Sequence, residues 1–438
     1  MLANVTPTAR SLPARARPLL WPLLAALLML LALSRPAPAL AAPGARGDGP
    51  PPPAGTCEEG VLPSGALWMI CLPDSDWNGD MVLWAHGYTA FNEPIDFQNL
   101  YLGDLYLPDL VTGLKYGFAT TSYRVNGLAI LPGADDIREL VAQVPLVVGQ
   151  TPEHTFLTGA SEGGIIGTLL AEQSPELFDG VLAMCGPVGE FRRQLNYFGD
   201  GRVLFDYFFP GLIPGDPLQI PTYVIDDWET VYQPAIEQGI AANPSAALEL
   251  VRTANAAHDP TDFATIENTV MTLAWYSVFA TNDASETLNG NPFGNLFRLY
   301  RGSSNDLLLN QSVQRVAADL GTLATVPHYQ TTGELTIPVV NMHTLLDEQI
   351  PYWQQLLYRQ KVQAAGAGDH LTTIPIPRYG HCDFTPFEAV GAFALLVFQS
   401  TGETIPGVTM LDPAQAERAT EAAAATIAIP EPAEPVGR

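Results

Sequence analysis

The sequence predicts an α/β fold: a mainly parallel sheet with helices on both faces. Three observations carry this. Short apolar runs alternate with segments of helical spacing through residues 56–187. The run 81–85, Met-Val-Leu-Trp-Ala, is continuously apolar, as a strand buried on both faces requires. The same alternation resumes at residue 336 after a long interval without it. At 438 residues, 47% hydrophobic and 15% charged, the chain has the apolar surface for a large core, which excludes a disordered protein.

Residues 1–41 read as an export signal. Arg10, Arg15 and Arg17 precede an apolar run at 19–33, and Ala39-Leu40-Ala41 is a small-x-small cleavage site. The protein is expected to be secreted, or periplasmic or surface-held in a bacterium, touching membrane only transiently during export. An uncleaved anchor is the alternative, and the shortness of the run and Pro22 within it argue against one. A Pro/Gly-rich linker follows at 42–55. Strands are predicted at 67–72, 81–85, 118–123, 155–158 and 181–184. A helix is predicted at 134–148, with Asp135 and Asp136 in its first turn, and another at 163–173, closed by Ser174-Pro175. Residues 188–335 lose the rhythm and show helical patterns near 228–242, 245–257 and 262–280, as a mostly helical insertion would. The core continues over 336–412, with a strand at 338–342, a helix at 352–365, a short strand at 371–374 stopped by Pro375, and a helix at 387–399. The Ala-, Glu- and Pro-rich tail, 413–438, is expected to be disordered at its end.

The net charge of −26 and the presence of only two lysines, Lys115 and Lys361, exclude nucleic acid as a partner. The four cysteines, in an exported chain, imply two disulfides with three possible connectivities. Cys57 and Cys71 flank an apparent hairpin with a Pro-Ser-Gly turn, so a bridge across its base is the simplest pairing, leaving Cys185 with Cys382.

Four motifs fall at the ends of predicted strands, where ligands of such sheets bind. Gly159-Ala160-Ser161-Glu162-Gly163 stands between a strand and a helix, the context of a nucleophile elbow, whose strained turn demands tiny neighbours. Ser161 is the candidate nucleophile. His86-Gly87-Tyr88 follows the run 81–85. Its loop is placed to offer the Tyr88 N–H as an oxyanion donor beside that of Glu162, while His86 itself is expected to hydrogen-bond the loop. Asp347 follows the strand at 338–342 and is the candidate orienting acid; Glu348 is its nearest rival, and His343 is expected to pack the loop. His381, after Gly380 in a short loop beyond the last strand, is the candidate general base. No metal-ligand spacing or phosphate loop stands out, so neither metal nor cofactor is expected.

With Ser161, Asp347 and His381 in nucleophile–acid–base order, the chain resembles the α/β-hydrolase superfamily, and within it the secreted bacterial esterase-like members. The resemblance covers about 56–187 and 336–402. It implies a mostly helical cap inserted after the sixth strand, attack by Ser161, an acyl-enzyme and deacylation by water. The Gly163-Gly164 pair also looks like the elbow of prolyl-oligopeptidase-type peptidases, although no propeller is expected in the residues given before the core. The expected substrate is a carboxylic ester. The aromatic stretch from Phe191 to Phe209 suggests an apolar or aromatic group, such as a lipid, phenolic ester or polyester, unless those rings form the insertion's own core. The alternatives are a serine peptidase acting on short peptides and a non-catalytic binding protein. A Cys185–Cys382 bridge would tie the His381 loop to the sheet.

Overall fold

The apolar runs become the central strands of one eight-stranded sheet. A computed structural model describes residues 55–430. The expected export signal lies outside the described residues, as do the linker apart from Gly55 and residues 431–438. In chain order the strands are β1 (Gly55–Val61), β2 (Leu67–Pro73), β3 (Met81–Ala85), β4 (Tyr101–Leu102), β5 (Leu105–Tyr106), β6 (Gly117–Thr121), β7 (Thr155–Ala160), β8 (Gly180–Met184), β9 (Val339–Leu346) and β10 (Leu371–Tyr379). The main sheet runs β1-β2-β6-β3-β7-β8-β9-β10, and β4 and β5 form a small separate hairpin. β2 is antiparallel to both neighbours, and every pairing from β6 to β10 is parallel. Cys57 sits opposite Cys71 in the β1–β2 ladder and is bridged to it.

Strands buried on both faces need helices on both faces, and the side chains of β3 show the division. Met81, Leu83 and Ala85 join a cluster with α2 (Ile130–Val148), α3 (Glu162–Gln173) and α12 (Trp353–Ala364). Val82 and Trp84 point the other way, toward α1 (Leu107–Gly113) and α13 (Pro386–Thr401). This is an α/β architecture, a mainly parallel sheet between two layers of helices.

The insertion falls between β8 and β9, after the sixth strand of the main sheet to appear in the chain. Its helices are α4 (Phe191–Phe208), α5 (Thr222–Asp226), α6 (Gln233–Ala242), α7 (Pro244–Thr253), α8 (Phe263–Phe279), α9 (Thr281–Thr287), α10 (Asp306–Ser312) and α11 (Leu320–Thr325). Tyr197, Phe205 and Phe209 bury themselves in the insertion's own core with Val270, Leu273 and Ile240. Insertion and core belong to one compact unit. Among the described residues, no helix is long and apolar enough to cross a membrane.

One sequence expectation needs correction, and two segments hold elements the sequence did not show. The last strand does not stop at Pro375 but continues to Tyr379. β10 is an edge strand, and Pro375 and Pro377, two apart, turn their nitrogens to the same side of it. Thr373 lies on that side too, and its carbonyl accepts from Thr420 rather than from β9. Within the tail, whose end at 431–438 lies outside the described residues, one helix forms. Pro413–Thr426 forms α14, started by Asp412, whose side chain accepts from Ala414 N at 2.9 Å. Its buried stripe, Ala416, Thr420 and Ala423, is too small-chained to show as apolar periodicity. Finally, the sequence reading assigned no element to the segment holding β4, β5 and α1, which walls the site described next.

Candidate functional site

Ser161 sits where β7 turns into α3, with φ 58° and ψ −119°, a strained region for a residue with a side chain. The turn is held by Ser161 N, which donates to Met184 O at 2.9 Å. Its glycines are sterically required. A Cβ on Gly163 would lie 1.9 Å from Ala85 O, and one on Gly159 would lie 2.3 Å from Gly163 O. The small residues of the motif therefore let the elbow pass against the end of β3.

Asp347 follows β9 directly, and its carboxylate is fully buried. His381 stands two residues beyond β10, after Gly380 in a left-handed turn with φ 113°. Gly380 N donates to Leu346 O at 3.2 Å, and Thr344 Oγ1 donates to Gly380 O at 2.6 Å, so the turn is fastened to the end of β9. The second disulfide joins Cys185, just beyond β8, to Cys382, and Cys382 Sγ lies 3.5 Å from His381 Nε2.

These three residues, distant in sequence, form one hydrogen-bonded line. His381 Nε2 is 2.9 Å from Ser161 Oγ, and His381 Nδ1 is 2.8 Å from Asp347 Oδ2. Because Asp347 can only accept when ionised, Nδ1 carries the proton and Nε2 is free to accept from the serine. Burial alone would lower the His381 pKa, but the Asp347 carboxylate, with Glu348 behind it, holds it above the ordinary value of 6.5. Burial would raise Asp347, yet His381 and His343 hold it below the ordinary aspartate range.

His343 does more than pack the loop. Its Nε2 lies 3.2 Å from Asp347 Oδ2 and 2.7 Å from Ile350 O, while Gln355 Nε2 donates to its Nδ1 at 2.8 Å. Asp347 Oδ1 accepts from Gln349 N at 2.9 Å and from Ile350 N at 2.8 Å. The insertion grips the same loop. Tyr197 Oη donates to Glu348 O at 2.6 Å, Gln194 Nε2 to Gln349 O at 2.8 Å, and Tyr276 Oη to Gln349 Oε1 at 2.9 Å. Gln355, Gln194 and Tyr276 carried no sequence signal, and Tyr197 showed only as one ring of the aromatic stretch; each matters here through a contact 12 or more positions away along the chain. Glu348, the rival acid, does not bond His381. It is buried, its Oε1 accepts from Asn268 Nδ2 at 3.3 Å, and burial next to the Asp347 charge raises its pKa.

The loop after β3 lies against the serine: a Cβ on Gly87 would stand 3.1 Å from Ser161 Cβ. Asn99 Oδ1 accepts from Gly87 N at 3.1 Å. Tyr88 turns its ring into the insertion, beside Trp275 and Tyr276, and donates from Oη to Phe279 O at 3.3 Å. The N–H groups of Tyr88 and Glu162 make no hydrogen bond among the described residues. His86 is buried, stacks on Tyr123 at 3.9 Å, and has Nδ1 2.8 Å from Gly87 O, a loop-holding position apart from the Ser161–His381–Asp347 line. The Glu162 side chain, whose role the sequence left open, reaches back to accept from Ala129 N at 2.8 Å, at the start of α2. Burial pushes its pKa up to about 8.

A cavity of about 340 Å³ opens beside Ser161 and His381. Tyr276 is its contribution from the insertion's helices, and none of the aromatic residues between Phe191 and Phe209 lines it.

No protein-family model matches the chain, and no curated protein matches it. Solved structures do show similarity. An acylaminoacyl peptidase of Pyrococcus horikoshii is 12% identical, with a TM-score of 0.41, over 75% of this chain and 38% of its own. An esterase of Pyrococcus furiosus is 9% identical, with a TM-score of 0.39, over 75% and 83%. A puromycin hydrolase is 12% identical, with a TM-score of 0.41, over 82% and 41%. The chain spans about two fifths of the length of the acylaminoacyl peptidases it matches, 38 to 44%.

Proposed function

We propose that the protein is a serine hydrolase that cleaves carboxylic esters through an acyl-enzyme on Ser161. The observation that carries this reading is the continuous line from Ser161 Oγ through His381 to Asp347, at 2.9 and 2.8 Å, in hydrogen-bond range throughout. Ser161 Oγ attacks the ester carbonyl while its proton passes to His381 Nε2. Asp347 keeps Nδ1 protonated and stabilises the imidazolium. The N–H groups of Tyr88 and Glu162 receive the oxyanion. His381 then returns its proton to the departing alcohol, and a water activated by the same nitrogen releases the acid. The charge-free lining of the cavity favours an ester with an apolar acyl group over a peptide with charged ends.

We read the protein as exported. The paired cysteines support an oxidising destination, since both bridges would be lost in a reducing cytosol.

The test is turnover of p-nitrophenyl acyl esters, beside aminoacyl-p-nitroanilides, by wild type and Ser161→Ala. The expected result is ester hydrolysis by wild type, its abolition in the variant with an unchanged melting curve, and fluorophosphonate labelling at Ser161. Undiminished hydrolysis by the variant would refute the assignment, and preferential cleavage of the anilides would replace the esterase by a peptidase.

A further inference from the structure

The cavity beside Ser161 runs through the core rather than through the insertion. It lies between the sheet face that carries Val82 and Trp84 and the helices α1 and α13. Its direction follows from the topology. At one end are Ser161, His381 and Gly87, and Asn99 is tied there through Gly87 N. From that end α1 carries the chain away from the catalytic edge toward Gly117, which opens β6 opposite Met81, the first residue of β3. Leu114, just past α1, and Val82, near the start of β3, therefore mark the far end. Val82 to Ala85 spans three strand rises, roughly 10 Å. An extended alkyl chain advances about 1.25 Å per carbon, from bonds of about 1.52 Å at about 111°. The channel thus has the length of roughly eight carbons.

Its chemistry is selective. No Asp, Glu, Lys or Arg lines it among the described residues. Thr158 Oγ1 is already engaged, donating to Leu83 O at 3.0 Å. An ionised group entering this space would lose its water without finding a counter-charge. A methylene chain has no such cost.

The sheet order says which half of the ester enters. The deepest strand residues, Val82 and Phe118, belong to β3 and β6, on one side of β7, while Leu182 and Met184 of β8 line the cavity nearer Ser161. Asp347 and His381 come from the ends of β9 and β10, on the other side. The leaving alcohol must meet His381 Nε2 to be protonated, so the group directed away from it is the acyl chain.

We infer that this channel is an acyl-chain site, and that the substrates are esters of unbranched apolar acids of roughly eight carbons. The inference rests on the esterase reading above and adds the substrate class and the residues that measure it. Val111, half-buried on α1, faces the middle of the channel and acts as a ruler.

The experiment uses two ester series on the full chain. In one the acyl chain lengthens with p-nitrophenol held constant; in the other the alcohol lengthens with acetate held constant. For wild type, kcat/KM in the acyl series should rise roughly three- to fourfold per carbon up to about octanoate and then stop rising, while the alcohol series stays nearly flat. In Val111→Phe the octanoate-to-acetate ratio should fall by roughly 10- to 50-fold, two to three methylenes of length being lost. In Val111→Leu, one carbon larger and easier to accommodate, it should fall roughly three- to fourfold. Unchanged ratios in both variants, or a length dependence confined to the alcohol series, would overturn the acyl-site assignment while leaving the esterase reading intact. Absence of turnover with every ester would refute that reading, and this inference with it.

Discussion

Replacing Asp347 by Asn should cost far more than the loss of one charge suggests. In the native site Asp347 Oδ2 receives His381 Nδ1 and His343 Nε2, and Oδ1 receives the N–H groups of Gln349 and Ile350. An asparagine keeps the oxygen for the two backbone donors, which leaves its NH2 facing two imidazoles. His343 cannot yield, because Gln355 donates to its Nδ1 and Ile350 O requires a proton on its Nε2. His381 must therefore move its proton to Nε2, toward Ser161 Oγ, and it ceases to be a base. The analogous tautomer trap in serine proteases lowers turnover by about 10⁴. For Asp347→Asn we expect a 10³- to 10⁴-fold fall in kcat/KM, about 4–5.5 kcal/mol of transition-state stabilisation. The pH profile supplies a second readout. Activity requires neutral His381, so it rises with pH through the His381 pKa, which in wild type lies above 6.5. Without the Asp347 charge, burial is opposed only by Glu348, and the acid limb of the residual activity should move to lower pH. The assay is kcat/KM on one p-nitrophenyl ester from pH 5 to 9. A loss below tenfold with an unmoved acid limb would show that the Asp347 contact does not set the tautomer.

Two further outcomes concern stability. Converting Cys185 and Cys382 together to serine opens a cross-link spanning 197 residues, which the chain-entropy relation values at about 5 kcal/mol; guanidinium unfolding should show most of it, and a loss under about 1 kcal/mol would contradict the argument. Glu162 has a folded pKa of about 8 against an ordinary 4.5, so the stability it contributes is complete below pH 4.5 and is lost as pH rises through 8. Glu162→Gln keeps an acceptor for Ala129 N–H and cannot ionise. Its unfolding free energy should match wild type near pH 4 and exceed it increasingly toward pH 8.5, by on the order of 2 kcal/mol and at most about 5. A gap that does not widen with pH would rule this out.

The site was legible where its parts are local. Gly159 and Gly163 announce a turn that no larger residue fits, and a Cβ at either would strike backbone. β3 was readable to its ends because burial on both faces leaves an uninterrupted apolar run. Reading failed where the deciding contact is distant or is made by small residues. Pro375 ends a strand only if both edges are paired, and one edge of β10 is not. Helix α14 buries Ala and Thr, so it left no hydrophobic stripe. The aromatic stretch beginning at Phe191 drew attention to the insertion as the home of the substrate, yet those rings pack on one another, and the channel lies under α1, a segment with no motif at all.

By itself, then, the sequence determined the alternation of strand and helix, the tight turn at Ser161, and the three candidate residues Ser161, Asp347 and His381 at strand ends, because each depends on residues within a few positions of one another. Tertiary structure alone decided that Asp347 is held by His343, two backbone N–H groups and a loop gripped by Tyr197 and Gln194, and that a roughly 340 Å³ apolar channel runs from Ser161 along the sheet. The physical reason is that a cavity is a place where no side chain is, that the Tyr197 and Gln194 bonds join residues more than 150 positions apart, and that the nearby His343 and backbone N–H contacts depend on how the loop folds; none of these leaves a periodicity in the chain.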